Sequence, residues 1–199
     1  MKILAFTDTH ADIEDLEKIK SKALKEKPDI IVCCGDISVF GNGLNFALSF
    51  INDLKIKTLI VKGNHETSKA LEDACSRFKN IINISNAGTF ELDNYLFFGY
   101  GNNGFSHVDE KFERLSSKFI KTFDRSKKLI FITHAPIYNT KLDKLPVGHC
   151  GSLSSRKFVE KVYPVLTLCG HFHETFKVKD KIKNCLIINP GPDGMIIEI

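Results

Sequence analysis

The sequence contains no long hydrophobic run, no C-x-x-C pair and no large excess of charge of either sign. Without a run of about 18 apolar residues, no segment is predicted to span a membrane. The first residues, MKILAFTDTH, reach an acidic side chain at Asp8 and lack the apolar region and cleavage site of a secretory signal, so we expect a cytoplasmic protein. The six cysteines fall mostly in apolar stretches, which argues against a disulfide framework or a structural zinc site.

The charge balance also argues against a nucleic-acid partner. The chain has 28 basic and 24 acidic residues, scattered along its length, for a net charge of +4. That excess is too small for an electrostatic track along a phosphate backbone, and a mixed solvated surface is expected instead. With 199 residues and 43% hydrophobic content, the chain fits one globular domain covering 1–199.

Apolar segments alternate with amphipathic stretches over the first half of the chain. ILAFT, IIVCC and TLIV predict strands, and each is followed by apolar residues at helical spacing, which favours parallel pairing. The segments INI, TFEL and YLFFGY, separated only by turn residues, predict hairpins. LIFIT and VLTLC predict two more buried strands around a helix at 152–162, and FKVK, CLII and MIIEI predict antiparallel strands at the end. We expect one α/β domain with two packed sheets and outer helices.

Residues that can bind metal follow five of the predicted strands. In open α/β sheets, ligands bind beyond the carboxyl ends of parallel strands, so neighbouring strands would bring these residues to one crevice. The residues are Asp8 and His10, Asp36, Asn64 and His65, His134, and His171 and His173.

Each of these groups is weak evidence alone, because Gly-Asp at a strand end is ordinarily a turn and a single histidine there is common. The Gly-His-x-His group is stronger, since residues at i and i+2 of an extended chain point the same way. Asp8 and His10 have the same spacing. Five independent loops carrying such residues make coincidence an inadequate explanation.

The residue types predict a pair of transition-metal ions. Carboxylate and amide oxygens together with imidazoles suit Mn, Fe, Zn or similar metals, whereas oxygens alone would favour Mg or Ca. The set is too large for one tetrahedral site and fits two ions sharing a carboxylate, for which we choose Asp36 on the middle strand. Two divalent ions, two carboxylates and a bridging hydroxide leave residual positive charge, which suits a phosphate ester.

The five groups resemble the signature of the calcineurin-like metallophosphoesterases, in particular the small single-domain branch near the class III phosphodiesterases. That signature is D-x-H, G-D, G-N-H-[DE], H and G-H-x-H. It is matched here by Asp8-Thr9-His10, Gly35-Asp36, Gly63-Asn64-His65-Glu66, His134 and Gly170-His171-Phe172-His173.

The resemblance implies a four-layer αββα sandwich of two mixed β-sheets flanked by helices, and it implies individual residue roles. It implies two divalent ions, Mn, Fe, Zn or Ni with Mn favoured, and a hydroxide bridging them. His65 would be the general acid, Asn64 would also contact substrate, and Glu66 would either orient His65 or act as a helix N-terminal acid. Asp8, His10, Asp36 and His173 would bind one ion, and Asp36, Asn64, His134 and His171 the other.

The expected partner is a small phosphate-ester substrate, and we prefer a phosphodiester. A phosphomonoesterase, a nuclease of the same fold and a non-catalytic scaffold remain as alternatives, although a scaffold need not keep His65. A monomer and a homodimer are both open. Outside the signature, His149 in the loop VGHCGSLSS, with the Gly151-Ser152 turn, is predicted to touch the substrate because the loop leads into a helix N-terminus. His107 is expected to be an exposed loop residue, and Phe105 and Tyr138 could either border the cleft or cap the core.

Overall fold

A computed structural model describes residues 1–102 and 104–199, and their strands form two large sheets and one small hairpin. The first sheet has five strands in the order β13, β1, β2, β3, β4. The four strands from β1 to β4 are parallel, and β13 runs antiparallel to β1, so the sheet is mixed. The bounds are β1 Lys2–Phe6, β2 Ile30–Cys33, β3 Thr58–Ile60, β4 Ile81–Asn83 and β13 Met195–Glu198.

Three helices make the crossovers of the first sheet: α1 Ile13–Glu26, α2 Leu44–Asn52 and α3 Ser68–Cys75. The start of α1 is set by Asp12, whose carboxylate accepts hydrogen bonds from two backbone N–H groups of the first turn. The helix ends at Lys27, whose backbone is in the left-handed conformation and which precedes Pro28. The predicted alternation of strand and helix is confirmed in this half of the chain.

The second sheet has six strands in the order β11, β12, β10, β7, β6, β5. Its inner pairs are parallel, and the outer pairs, β11 with β12 and β5 with β6, are antiparallel. The bounds are β5 Asn86–Leu92, β6 Tyr95–Tyr100, β7 Lys128–Thr133, β10 Leu166–Leu168, β11 Lys179–Ile182 and β12 Cys185–Ile188. Helices α4 Glu110–Thr122 and α5 Leu153–Val162 cover this sheet, and the small hairpin pairs β8 Lys144–Leu145 with β9 Gly148–His149.

Alternating side chains divide the core into three clusters and so define four layers. Along β1, Leu4 and Phe6 face the helices of the first sheet, whereas Ile3 and Ala5 face the second sheet. The middle cluster joins residues of both sheets, for example Ala5 and Ile132, and the third lies under α4 and α5. The predicted sandwich of two mixed sheets between helical layers is therefore confirmed. No helix in the described part of the chain is long and apolar enough to cross a membrane.

Two predicted segments differ in the structure. The INI segment was expected in a hairpin, but β4 arrives by a helical crossover and pairs parallel with β3. An apolar segment of three residues carries no information about its direction. The strand predicted at FKVK starts later, at Lys179, because Lys177 is left-handed and the preceding residues form a 3₁₀ turn.

Candidate metal centre

The predicted residues converge where β1, β2, β3, β7 and β10 end. Three groups of side chains place potential ligand atoms within 4.8 Å of one another. These groups are Asp8, His10 and His173; His10, Asp36 and His65; and Asp36, His134 and His171. Because His10 and Asp36 each belong to two groups, the three groups form one continuous cluster. The cluster lies between the sheets, since β1 to β3 belong to the first sheet and β7 and β10 to the second.

Asp36 lies at the centre of the cluster and is almost fully buried. Its Oδ1 accepts a hydrogen bond of 2.9 Å from the backbone N–H of His65. Its Oδ2 is 3.5 Å from Nε2 of His134 and 3.9 Å from Nε2 of His65. Burial raises the pKa of Asp36, but the hydrogen bond and charge of His134 and the His65 contacts lower it more, to about 2. The side chain is therefore a carboxylate at neutral pH.

Asp8 is the second buried carboxylate. Its Oδ2 accepts hydrogen bonds of 2.5 Å from Oγ1 of Thr7 and 2.9 Å from the backbone N–H of His171. Its Oδ1 is 3.7 Å from Nε2 of His173. Burial raises the pKa of Asp8, and the interactions with His173, His134 and these two donors outweigh that effect and keep the pKa below its usual value. The bond to His171 ties the end of β1 to the loop after β10.

Two histidines are oriented by backbone carbonyls. Nδ1 of His134 lies 2.9 Å from the carbonyl oxygen of Cys34, and Nδ1 of His10 lies 3.2 Å from that of Ser38. A carbonyl can only accept, so Nδ1–H donates in both rings, and a ring that is neutral then presents the lone pair of Nε2 to the cluster. Burial lowers the pKa of His134, but the carboxylates of Asp36 and Asp8 outweigh that effect and keep the pKa above its usual value. His134 is fully buried. This arrangement is the one expected of metal-binding imidazoles.

The Gly-His-x-His loop contributes two histidines with different surroundings. Burial, followed by the charge of His134, lowers the pKa of His171 to about 4, so its ring is neutral at pH 7. The contact with the carboxylate of Asp8 raises the pKa of His173, whose side chain is 56% exposed. A neutral imidazole is a competent metal ligand, whereas a protonated one must lose its proton first.

Two buried polar atoms of the cluster have no hydrogen-bond partner in the described part of the chain: Oδ1 of Asp8 and Nε2 of His171. A buried polar atom without a partner costs free energy, and cations at these positions would satisfy both. One atom lies at each end of the cluster, since Asp8 groups with His10 and His173, and His171 with Asp36 and His134. The donor set, mixed in nitrogen and oxygen, fits divalent transition metals.

Asn64 and His65 follow β3 on adjacent positions. Oδ1 of Asn64 is 3.1 Å from Nε2 of His134, so the amide oxygen faces the second group. Nδ1 of His65 accepts a hydrogen bond of 3.2 Å from the backbone N–H of Phe40. The proton of the neutral His65 ring is therefore on Nε2, which faces Asp36. The ring of His65 lies 4.6 Å from that of His10, centroid to centroid.

The role of Glu66 differs from both expectations. Its buried carboxylate accepts four hydrogen bonds, from the backbone N–H groups of Asp36, Ser38 and Gly63 and from Oγ of Ser38, at 2.6–3.1 Å. It precedes α3, whose N-cap is Thr67, so it is not an acid of the first helical turn. Glu66 instead ties the loop after β2 to the loop after β3. The acidic residue is visible in the sequence, but its bonds to Asp36 and Ser38, 30 and 28 residues away, are not.

The backbone conformation of the loops is also specialised. Asp8, His10, Asp36 and His171 have positive φ angles of 53°, 49°, 51° and 72°. Such angles are uncommon for residues other than glycine, although Asp and His are among those that adopt them most often. Gly63 is required for a different reason: a Cβ there would overlap the carboxylate of Asp36. The loops thus aim these side chains at the cluster through left-handed backbone conformations.

His149, predicted to touch the substrate, lies on the β8–β9 hairpin. Its Nδ1 is 2.7 Å from Oδ1 of the buried Asp143, and its ring is 5.9 Å from that of Tyr138. Asp143 also accepts from the N–H groups of Asn139, Thr140 and Gly151, so it organises this loop. None of the three metal-type groups found among the described residues includes His149. Its contact with substrate stays a prediction.

Aromatic side chains border the cluster on two sides. Phe105 lies edge-on to His171, with ring centroids 4.6 Å apart, which agrees with its expected place at the cleft. Phe40 stacks on His65 at 4.1 Å and was not singled out from the sequence. His107 is exposed, as expected, and its ring packs against Tyr138 at 4.7 Å.

Comparisons with known proteins identify a similar sequence and similar folds. A protein of Methanocaldococcus jannaschii, described as uncharacterized, is 31% identical over 208 residues, covering 99% of this chain and 91% of that relative. A crystal structure from Thermus thermophilus superposes with a TM-score of 0.78 at 14% identity, covering 96% and 88% of the two chains. A structure described as a novel archaeal phosphodiesterase gives 0.56 at 17% identity, covering 96% and 84%.

The family model for calcineurin-like phosphoesterases matches residues 1–175, which include all five sequence groups, every side chain of the cluster and the neighbouring Asn64. Proteins of this family use divalent metals to hydrolyse phosphoric esters, and the buried carboxylates and imidazoles described above could bind such metals. The chain belongs to the calcineurin-like phosphoesterase family.

Proposed function

We propose that this protein is a dinuclear phosphodiesterase in which Asp36 is the ligand shared by two divalent metal ions. The observation that supports this most directly is the position of Asp36, which belongs to one group with His10 and to another with His134 and His171. Its low pKa leaves both oxygens free of protons and able to serve two ions. When bound, such ions activate a water molecule and neutralise the charge of a phosphate ester.

The proposed ligands divide into two sets around Asp36. Three of the first set, Asp8, His10 and His173, form a group whose unsatisfied atom is Oδ1 of Asp8. In the second set, His134 and His171 group with Asp36, and the amide oxygen of Asn64 faces His134. The mixed nitrogen and oxygen donors favour Mn, Fe, Zn or Ni, and we favour Mn.

His65 is the proposed general acid. Nε2 faces the cluster, so from the imidazolium form of the ring this nitrogen would give its proton to a leaving oxygen and leave the ring neutral. The N–H of Phe40, which bonds Nδ1 of the neutral ring, would have to release that nitrogen when the ring takes up its second proton. The backbone N–H of His65 donates to Oδ1 of Asp36, which fixes the imidazole relative to the proposed ligands. Asn64, adjacent in the chain, is the proposed second contact to the phosphate.

A diester is the preferred substrate because, in the sequence, Lys62 is the one Lys or Arg that directly adjoins any of the five groups. A dianionic monoester would favour an additional positive charge next to the ions. Lys62 is the lysine nearest in sequence to the ligand loops; its ammonium donates to the carbonyl of Gly63 at 3.1 Å, and burial lowers its pKa. The archaeal neighbour described as a phosphodiesterase is consistent with this preference.

A metal-dependent assay tests the proposal. Metal-free protein is titrated with Mn²⁺ and supplied with bis-p-nitrophenyl phosphate or p-nitrophenyl phosphate. We expect hydrolysis that requires added metal and a higher kcat/KM for the diester. His65→Ala should keep its metal content and lose roughly 10²–10⁴-fold in kcat, the usual contribution of acid catalysis. His107→Ala, which removes an imidazole outside the three groups, is the matched control.

Three outcomes would contradict the proposal. Activity independent of metal would exclude the dinuclear site. A higher kcat/KM for the monoester would exclude the diester preference. An unchanged rate in His65→Ala would exclude its role as the acid while leaving the metal centre in place.

A further inference from the structure

The loop after β2 carries an exposed aromatic ring directly on the proposed general acid. Phe40 is 75% exposed, although large apolar side chains are usually buried. Its ring stacks on that of His65, with centroids 4.1 Å apart and an interplanar angle of 30°. The backbone N–H of Phe40 donates to the same imidazole. The ring is therefore held at the side of the cluster from which His65 would protonate a leaving group.

The local backbone disfavours phenylalanine at this position. Val39 and Asn42 exchange both backbone hydrogen bonds, at 3.1 and 2.9 Å, across the two-residue loop Phe40-Gly41. Both loop residues have positive φ, 49° and 83°, as in a type I′ turn, whose first position favours Asn, Asp or Gly. A bulky residue there is strained. The turn would be more stable with asparagine, so its own folding does not explain the phenylalanine.

The turn is also rigidly connected to the metal-binding loops. The N–H of Gly41 donates to Oγ of Ser38, and Ser38 donates to Glu66, which holds the loops after β2 and β3 together. An aromatic ring fixed in this way loses little conformational entropy when it meets a second ring.

From the exposure, the stacking and the strained turn, we infer that Phe40 is a specificity-determining residue that packs against an aromatic ring in the leaving group of the substrate. The inference rests on the proposed function and narrows its substrate class to diesters with an aryl-type leaving group. Phe105 is equally exposed, but its ring contact is with His171, whereas that of Phe40 is with the proposed acid.

The test compares two diesters whose leaving groups have matched acidity, so that chemistry alone does not separate them. Methyl phenyl phosphate carries an aryl leaving group. The second diester is a methyl fluoroalkyl phosphate, whose non-aromatic leaving alcohol has the same pKa as phenol. The measured quantity is the ratio of their kcat/KM values with Mn²⁺. Phe40→Asn removes the ring and suits the turn, so we expect unchanged or higher stability and a ratio lowered about 2- to 10-fold, the range for an aromatic pair.

Two further variants locate the effect. Phe40→Trp restores an aromatic face and should restore the ratio. Phe105→Ala removes the equivalent ring from the other side and should leave the ratio unchanged even where it lowers both rates. The same ratio in wild type and Phe40→Asn would overturn the inference while leaving the proposed function intact. Absence of metal-dependent hydrolysis of either diester in the wild type would overturn the proposed function, and the inference with it.

Discussion

Removal of the Glu66 carboxylate should destabilise the protein more than any change to an exposed acid. The carboxylate accepts from three buried backbone N–H groups and one hydroxyl. In Glu66→Ala the three N–H groups lose their partner, and each unsatisfied buried donor costs about 1–3 kcal/mol. Because water can enter part of the space, we expect a loss near the lower end of the sum, about 3–5 kcal/mol. That is a large fraction of the about 5–15 kcal/mol typical of a domain.

Glu66→Gln gives a smaller loss and tests the hydrogen-bond assignment. One oxygen of the side chain accepts from Asp36 and Gly63, and the other from the N–H and hydroxyl of Ser38. A glutamine would place its NH₂ toward Ser38, whose hydroxyl can accept but whose N–H cannot. One donor then stays unsatisfied, and we expect a loss of about 1–3 kcal/mol.

The assay is urea denaturation of the metal-free proteins, followed by circular dichroism. With a slope of about 2 kcal/mol/M, Glu66→Ala should shift the midpoint by about 1.5–2.5 M. The matched control is Glu72→Ala, because Glu72 is exposed and bonds Asn83 at the surface, so its loss should stay within about 0.5 kcal/mol. Equal midpoints for Glu66→Ala and Glu72→Ala, at unchanged slope, would refute the reasoning.

Three other predictions concern the cluster and the adjoining hairpin. Asp36→Asn should deplete both metals together in elemental analysis, and loss of a single metal would contradict the shared-ligand assignment. The pKa of Asp36 is about 2 in the folded state and 3.8 as a free side chain, so the carboxylate stabilises the fold above about pH 4 and this stabilisation is lost as the pH falls through 2. Urea midpoints of the metal-free wild type should therefore show a loss of about 2 kcal/mol over this window. An equal loss in Asp36→Asn would contradict this assignment. His149→Ala should raise KM for the diester, and unchanged KM and kcat would remove its predicted contact.

The cluster of candidate metal ligands could be located from the sequence because its physical basis is local. A buried strand of four to six residues is visible as an apolar run, and residues after its carboxyl end lie at a known edge of the sheet. Asp8, Asp36 and His134 are found at those positions in the structure. The i and i+2 spacing predicted that His171 and His173 share one direction on extended chain. In the structure His171 has a positive φ, His173 begins a 3₁₀ turn, and the two imidazoles enter the groups at the two ends of the cluster.

The missed features depend on contacts between distant parts of the chain. The sequence shows an acid at Glu66, but its hydrogen bonds to the loop after β2 depend on the register of β2 and β3. Phe40 carried one usable signal, a bulky residue before Gly41 in a turn. Its stacking partner, however, lies 25 residues away. The hairpin of β8 and β9 was missed because strands of two residues have no detectable periodicity.

The position of the cluster between the two sheets has a consequence for folding intermediates. Asp8, His10, Asp36 and Asn64 come from the first sheet, whereas His134, His171 and His173 come from the second. If these seven residues hold two ions, the N-terminal half of a nascent chain could offer only three ligands to one ion and two to the other. Neither ion would have its full set of ligands before the two sheets pack together. Hydrolytic activity would therefore appear only in the fully folded chain and not in a folding intermediate.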